Sequence, residues 1–219
     1  YMRAARKGMG EDAYYLSCWG VLSQSIGVCD AMRVATDANA NWHAYSMQLR
    51  ETARWFFAQR VLFTVDPDHV CVRGELPWVR MMLSLVTLTG GLYMISDEPE
   101  SYDAGRLELI RKTLPGTTVR TAETGPVAYE TPACYSIRQT ADLAESSYKI
   151  GHYEKGDETP FASLWCTHFE QGGRVWCVMQ RCAVTPLPGM RLGIKALGLP
   201  ENRVYYAFDF WKQEGFAVS

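Results

Sequence analysis

An arginine and an aspartate four residues apart, Arg33 and Asp37, are the side chains of this sequence best suited to carry chemistry. A guanidinium fixed beside a carboxylate can orient it and can also bind a sugar hydroxyl. Cys18 and Trp19 precede this pair, and a tryptophan offers an apolar surface to the C–H face of a sugar ring. The spacing alone leaves a second interpretation open, because an i, i+4 Arg–Asp pair is also common as a surface ion pair.

These residues follow short apolar runs that we predict to be β-strands. The strand-like runs are residues 13–18, 29–34, 61–64 and 92–96, and they alternate with helical patterns at 44–59, 77–90 and 103–113, after a helix end at 1–9. Such alternation is typical of an α/β fold. In α/β barrels the catalytic side chains lie at the carboxyl ends of the strands. Three more carboxylates follow predicted strands in this way: Asp66, Asp68 and Asp97.

The second half of the chain has a different character and predicts an all-β domain. Its strand-like runs are residues 134–139, 147–153, 162–169, 175–182 and 204–211. The segment Gln171–Arg174, with two central glycines, predicts a hairpin turn. We therefore expect an α/β domain over residues 1–115, followed by an antiparallel β-sandwich over residues 116–219.

Composition excludes several classes of function. The chain has 219 residues, 47% of them hydrophobic, and a formal charge of -2. Its lysines and arginines are scattered, which argues against a nucleic-acid-binding face. No apolar stretch approaches the roughly 18 residues that a membrane helix needs.

The seven cysteines and four histidines do not have the spacing of a disulfide framework or a zinc ribbon. Buried thiols are the simplest interpretation, and they favour a reducing, cytoplasmic compartment without determining the localisation. No metal site and no organic cofactor are expected from this pattern.

Three stretches occur in a fixed order within residues 13–115: Tyr15–Gly20, Gly27–Asp37 with Trp42 soon after, and Asp66–Asp68 followed by Thr89–Asp97. In order and spacing they resemble the later half of the catalytic barrel of α-galactosidases in glycoside hydrolase families 36 and 27. The first is similar to the Cys-containing strand of these enzymes, and the second to the segment whose Arg-x-x-x-Asp ends in the acid/base. The third is similar to their Asn-Asp-Pro-Asp turn and last barrel strand. The β-rich tail, including Phe208–Trp211, resembles the C-terminal sandwich of family 36.

The resemblance implies a fold and a set of residue roles. The fold would be the C-terminal half of a (β/α)8 TIM barrel plus an antiparallel β-sandwich. Asp37 would be the general acid/base, Arg33 would bind the sugar 2-hydroxyl or steady Asp37, and Cys18 and Trp19 would line the sugar pocket. The remaining matched positions would hold loops at the barrel mouth or contact the substrate directly: Asp66, Asp68 and Asp97. Trp42 would anchor a loop.

The chain also departs from the family pattern. A retaining glycosidase needs two carboxylates roughly 5 Å apart, and no segment here matches the strand that carries the nucleophile. A whole barrel takes about 250 residues, so we expect this chain to be a fragment whose nucleophile lies upstream. Exposed strand edges would make such a fragment unstable or prone to associate, with itself or with the missing half of the barrel. Alone, it should not hydrolyse a substrate. Val65, where the family usually has Asn, removes one polar group from the barrel mouth.

The sequence therefore predicts a retaining glycoside hydrolase acting on terminal α-galactosides or on similar sugars, such as N-acetylgalactosamine or arabinopyranose. Two alternatives remain open at this stage. One is a carbohydrate-binding relative that has lost hydrolysis, and the other is a transglycosylase on the same scaffold. The sugar, the linkage and the oligomeric state are not determined by the sequence.

Overall fold

A computed structural model describes residues 1–18, 22–114, 124–130, 161–181, 193–197 and 199–218. The chain divides into two compact units, Tyr1–Val184 and Thr185–Ser219. The first unit contains the described candidate site residues, from Cys18 to Asp97. In the described ranges, no helix has the length and apolar character needed to cross a bilayer.

The first unit is built on a small parallel sheet. Its strands are β1 (Leu16–Cys18), β2 (Ala31–Arg33) and β3 (Thr64–Asp66), hydrogen-bonded in the order β1-β2-β3. Ala31 and Met32 are fully buried, and Val65 is nearly so, as expected for parallel strands covered on both faces. The register aligns the last residues of the strands, so their carboxyl ends form one edge.

Among the described residues, five helices accompany this sheet: α1 (Met2–Met9), α2 (Leu22–Ser25), α3 (Trp42–Trp55), α4 (Leu76–Thr89) and α5 (Ala104–Thr113). Local signals define the ends of the longer ones. The Asn41 side chain caps α3 by accepting from the Ala44 N–H at 2.9 Å, and the Asp103 side chain caps α5 at 2.8 Å from the Arg106 N–H. Pro77 lies in the first turn of α4, which begins at Leu76, and Gly90 ends the helix in a left-handed conformation with φ 65°.

A buried glutamine joins β3 to the end of α4. Gln59 Oε1 accepts from the Val65 N–H at 2.7 Å, and its Nε2 donates to the Gly90 carbonyl oxygen. Beside it lies a cluster of buried side chains from β2, β3 and the flanking turns: Cys29, Met32, Val34, Ala58, Phe63 and Val65. The amide satisfies two buried backbone groups that would otherwise lack partners, which fixes β3 against the helix layer.

An antiparallel sheet completes the described part of the first unit. Its strands are β4 (Thr124–Glu130), β5 (Phe161–Gln171) and β6 (Arg174–Arg181), with β5 in the centre. The predicted hairpin is confirmed, because Gly172 and Gly173 join β5 to β6 with φ values of 61° and 71°. Positive φ at both central residues is the requirement of a type I′ turn. Strand β5 lies against α3, where the rings of Phe56 and Trp165 meet edge to face at 6.0 Å.

The described residues of the second unit include a short hairpin. Strands β7 (Tyr206–Asp209) and β8 (Glu214–Ala217) pair antiparallel, and a 3-10 turn covers Ile194–Leu197. Asp209 organises the hairpin turn by accepting from the backbone N–H groups of Trp211 and Lys212 at 3.1 and 3.0 Å.

Two of the predicted strands were placed wrongly. The run 61–64 is mostly a turn, because the N–H groups of Val61, Leu62 and Phe63 all donate to the Ala58 carbonyl, and β3 begins only at Thr64. The run 92–96 is not assigned as a strand. This segment makes two isolated backbone hydrogen bonds, both 2.9 Å long. The Leu92 N–H donates to the Val65 carbonyl oxygen, and the Val70 N–H donates to the Met94 carbonyl oxygen.

The helix predictions over 1–9, 77–90 and 103–113 are confirmed within a residue or two, while the helix predicted over 44–59 ends at Trp55 and continues as a 3-10 turn. In the described ranges the sheets have three, three and two strands, and none closes into a barrel. The half-barrel, the sandwich and the boundary between 115 and 116 stay predictions. The runs 134–139 and 147–153 lie outside the described residues.

Candidate functional site

The carboxyl edge of the parallel sheet brings three polar side chains into register. Cys18 ends β1, Arg33 ends β2 and Asp66 ends β3, and each is aligned with the next across the sheet. This alignment follows from parallel pairing, which places equivalent strand ends side by side. The edge predicted from the sequence is therefore present for these strands.

Arg33 is the centre of this edge. Its Nη2 pairs with Asp37 Oδ1 and lies 3.4 Å from Asp68 Oδ2, while its Nη1 donates to Cys18 Sγ at 3.4 Å. Its Nε donates to the Ala35 carbonyl oxygen at 3.2 Å. Only 17% of the Arg33 side chain is exposed. A guanidinium held at every nitrogen is a rigid cation, and it joins the ends of β1 and β2 to the turn that follows β3.

Asp37 projects from the loop between β2 and α3, and 95% of its side chain is exposed. The loop around it is fixed by the Val34 N–H donating to the Asp66 carbonyl oxygen at 2.9 Å and by the Ala38 N–H donating to Asp68 Oδ2 at 2.7 Å. The carboxylate is thus anchored through Arg33 and its backbone while remaining open to solvent. The i, i+4 ion pair considered from the sequence is present, but on a loop rather than a helix.

Asp66 is a buried acid at this edge. Its Oδ1 accepts from the Asp68 N–H at 2.8 Å, and its Oδ2 is buried without a hydrogen-bond partner in the described part of the chain. Burial raises the pKa of this carboxyl to about 6, and the negative charge of Asp68 adds to that effect.

The Asp68 carboxylate contacts three neighbouring residues. It accepts from the Ala38 N–H, accepts from the His69 N–H at 2.9 Å and lies beside Arg33. Burial alone would raise its pKa, but hydrogen bonds from the His69 side chain and from both backbone N–H groups hold the pKa below its usual range. Its left-handed backbone, with φ 70°, turns the chain so that these contacts form together. Asp66 and Asp68 thus accept hydrogen bonds from loop backbone groups, while a role at a barrel mouth or in direct contact with a substrate stays a prediction.

A second cluster continues from Asp68. His69 Nδ1 lies 3.5 Å from Asp68 Oδ1, and its Nε2 lies 3.3 Å from the buried Cys71 Sγ. Contacts with Asp68 and then with Cys71 raise the pKa of His69 to about 10. The ligand atoms of His69, Cys71 and Asp97 all lie within 4.8 Å of one another. Sequence reasoning missed this cluster, because the only local signal is a His-x-Cys spacing directly after Asp-Pro-Asp.

Asp97 is buried and engaged with the loop that carries Cys71. Its Oδ2 accepts from the Val72 N–H and from the Arg73 N–H, the latter at 3.2 Å, and its Oδ1 pairs with the Arg73 guanidinium. Arg73 also donates to Asn39 Oδ1 at 3.4 Å, which reaches back to the Asp37 loop. These contacts give Asp97 a loop-holding role, and direct contact with a sugar stays a prediction.

The other predicted positions divide into three groups. Trp42 is buried at the start of α3 with its ring 5.9 Å from that of Trp78, which agrees with an anchoring role. Trp19 lies outside the described residues. The expected burial is confirmed at Cys29, Cys71 and Cys166, but Cys18 is exposed and Cys177 is half-buried.

No protein-family model matches this chain. A search of curated proteins also finds no match. The geometry of the site therefore carries the functional argument.

Proposed function

We propose that this chain carries the acid/base carboxylate of a retaining glycoside hydrolase that acts on terminal α-galactosides or closely similar sugars, with Asp37 in that role. The observation that supports it best is an exposed carboxylate whose Oδ1 is held by a rigid guanidinium at the carboxyl edge of parallel strands. The α-galactosidase-like order of motifs around it supplies the substrate class.

The acid/base residue of a retaining enzyme protonates the departing oxygen and then takes a proton from water. Both steps need a carboxylate that meets solvent and substrate yet does not rotate freely. Arg33 holds one oxygen of Asp37, and the high exposure of the side chain leaves the other accessible. Cys18, whose Sγ accepts a hydrogen bond from Arg33 Nη1, would form the adjoining wall of the sugar pocket.

The nucleophile of the proposed reaction must be a different carboxylate, roughly 5 Å from Asp37. Asp66 does not fit this role, since it is fully buried. Asp68 does not fit either, because its two oxygens already accept hydrogen bonds from Ala38 and His69. We therefore propose that the nucleophilic carboxylate comes from a part of the gene product outside these residues.

The test uses the intact gene product and compares native protein, Asp37→Asn and, as a matched control, the exposed carboxylate variant Asp12→Asn. Hydrolysis of an unactivated α-galactoside is expected to fall by about 10²–10⁴-fold in Asp37→Asn and to stay unchanged in Asp12→Asn. The loss should be smaller for a nitrophenyl α-galactoside, whose leaving group needs less protonation, and added azide should restore turnover by replacing the activated water.

Equal rates for the native protein and Asp37→Asn would refute the assignment. Binding of galactose without hydrolysis by the native protein would also refute it, and would favour the carbohydrate-binding alternative. A transglycosylase would be recognised by the product: transfer to an added sugar acceptor would exceed release of free galactose, with the same dependence on Asp37.

A further inference from the structure

We propose that His69, Cys71 and Asp97 form a binding site for a divalent transition-metal ion of the zinc class. Their imidazole nitrogen, thiol sulfur and carboxylate oxygen lie within 4.8 Å of one another. A mixed set of nitrogen, sulfur and oxygen donors is typical of Zn²⁺ and Co²⁺ rather than of Mg²⁺ or Ca²⁺. The proposal is independent of the glycosidase assignment, since it requires none of the residues of that mechanism to react.

The distances within the cluster fit a tetrahedral ion. Ligand atoms about 2.0–2.3 Å from a tetrahedral metal are separated from one another by roughly 3.3–3.8 Å. Cys71 Sγ and His69 Nε2 are 3.3 Å apart, and the whole set needs an inward movement of about 1 Å at most. Three protein ligands would leave a fourth position for water, and the partly exposed His69 ring provides the route from solvent.

The orientation of His69 is a second and independent observation. Its Nδ1 faces Asp68 Oδ1 at 3.5 Å, while its Nε2 faces Cys71. Metal-binding histidines usually direct their second nitrogen to a carboxylate in this way, which fixes the ring and makes the ligating nitrogen more basic. The Cys71 backbone is fixed as well, since the Tyr45 hydroxyl donates to its carbonyl oxygen at 2.5 Å. Both ligands are therefore positioned in advance.

A bound metal ion would replace the Arg73 guanidinium as the positive charge beside Asp97. Because 41% of the Arg73 side chain is exposed, it can turn toward solvent. Oδ2 of Asp97 would keep its backbone donors from Val72 and Arg73, and Oδ1 would become the ligand. Metal binding requires the thiolate form of Cys71 and an unprotonated His69 Nε2. The ion would fasten the loop that follows β3 to the segment that ends at Asp97.

The experiment is a titration of the metal-free full chain with Co²⁺, followed by displacement with Zn²⁺. We expect one Co²⁺ per chain, tetrahedral ligand-field bands in the visible range and a thiolate-to-cobalt charge-transfer band in the near ultraviolet. Cys71→Ser should abolish the charge-transfer band, and His69→Gln should weaken Co²⁺ binding by at least about 10-fold. Cys29→Ser is the matched control, because Cys29 is also buried but donates to the Ser25 carbonyl oxygen instead of meeting a histidine.

Two further variants keep the test decisive if Cys71→Ser does not fold, as judged by circular dichroism. Asp68→Asn removes the carboxylate that orients His69 and should weaken binding by about 10-fold or more. Arg73→Gln removes the competing cation and should strengthen binding. Absence of a charge-transfer band in the native protein, or an equal loss in Cys29→Ser, would overturn the proposal, and so would weaker binding in Arg73→Gln.

Discussion

Replacing Asp66 by asparagine is expected to stabilise the protein at neutral pH and to have little effect in acid. The carboxyl is fully buried at the end of β3, and burial raises its pKa from 3.8 to about 6. A raised pKa means that folding favours the protonated acid. The contribution of Asp66 to stability is therefore complete below about pH 4 and is lost as the pH rises through about 6.

The magnitude follows from the difference between the two pKa values. A difference of about two pKa units corresponds to ~3 kcal/mol in the free energy of unfolding at pH 7 to 8. Asparagine keeps Oδ1 as the acceptor for the Asp68 N–H and carries no charge, so Asp66→Asn should recover up to that amount. In a domain of this size, ~3 kcal/mol is about 6–12 °C in melting temperature.

The assay is urea denaturation of native protein and Asp66→Asn between pH 4 and pH 8, with Asp12→Asn as the control. The difference between native protein and Asp66→Asn should be below about 1 kcal/mol at pH 4 and should grow to a plateau above pH 6. A difference that does not change with pH would refute the reasoning, because it would show that Asp66 is not protonated preferentially in the folded state.

Three other substitutions are expected to destabilise the protein, each measurable from the urea midpoint. Gln59→Leu leaves the Val65 N–H and the Gly90 carbonyl without the partners that Gln59 supplies, which should lower the free energy of unfolding by about 2–6 kcal/mol. A loss under about 1 kcal/mol would mean that water replaces the amide. Gly74→Ala places a methyl group in steric clash with the buried hydroxyl of Tyr45 and should cost about 1–3 kcal/mol, whereas no cost would show that the ring can move. Asn41→Ala removes the cap of α3 and should cost about 1 kcal/mol, with Asn41→Ser restoring most of it.

The helices of the first unit were predictable because their signals are local. The apolar spacing of α4 together with Pro77 and Gly90 defines that helix almost to the residue, and Asp103 does the same for the start of α5. The third strand was misplaced because an apolar run such as Val61–Phe63 has the composition of a strand. Its backbone instead turns around the Ala58 carbonyl, with Arg60 at φ 57°. The pattern of side chains does not distinguish such a turn from a strand.

The site was predictable only in part, for a related reason. Strand ends and the Arg33–Asp37 spacing can be read along the chain, so the pairing of these two residues was among the expectations. The contact of Arg33 with Asp68 depends on a left-handed turn at Asp68, and the approach of Asp97 to Cys71 depends on how two loops meet. Such contacts arise from tertiary packing, and residue spacing carries little information about them.

The attachment of α1 has a consequence for hydrogen exchange. This helix buries none of its residues, and Arg6 makes most of its polar contacts with the rest of the unit, to the carbonyl oxygens of Ala13 and Val28 and to Asp30. An element held mainly by one side chain opens at a small fraction of the global unfolding free energy. Amide protons of α1 should therefore exchange with deuterium long before those of α4, and Arg6→Ala should accelerate exchange in α1 while leaving α4 protected.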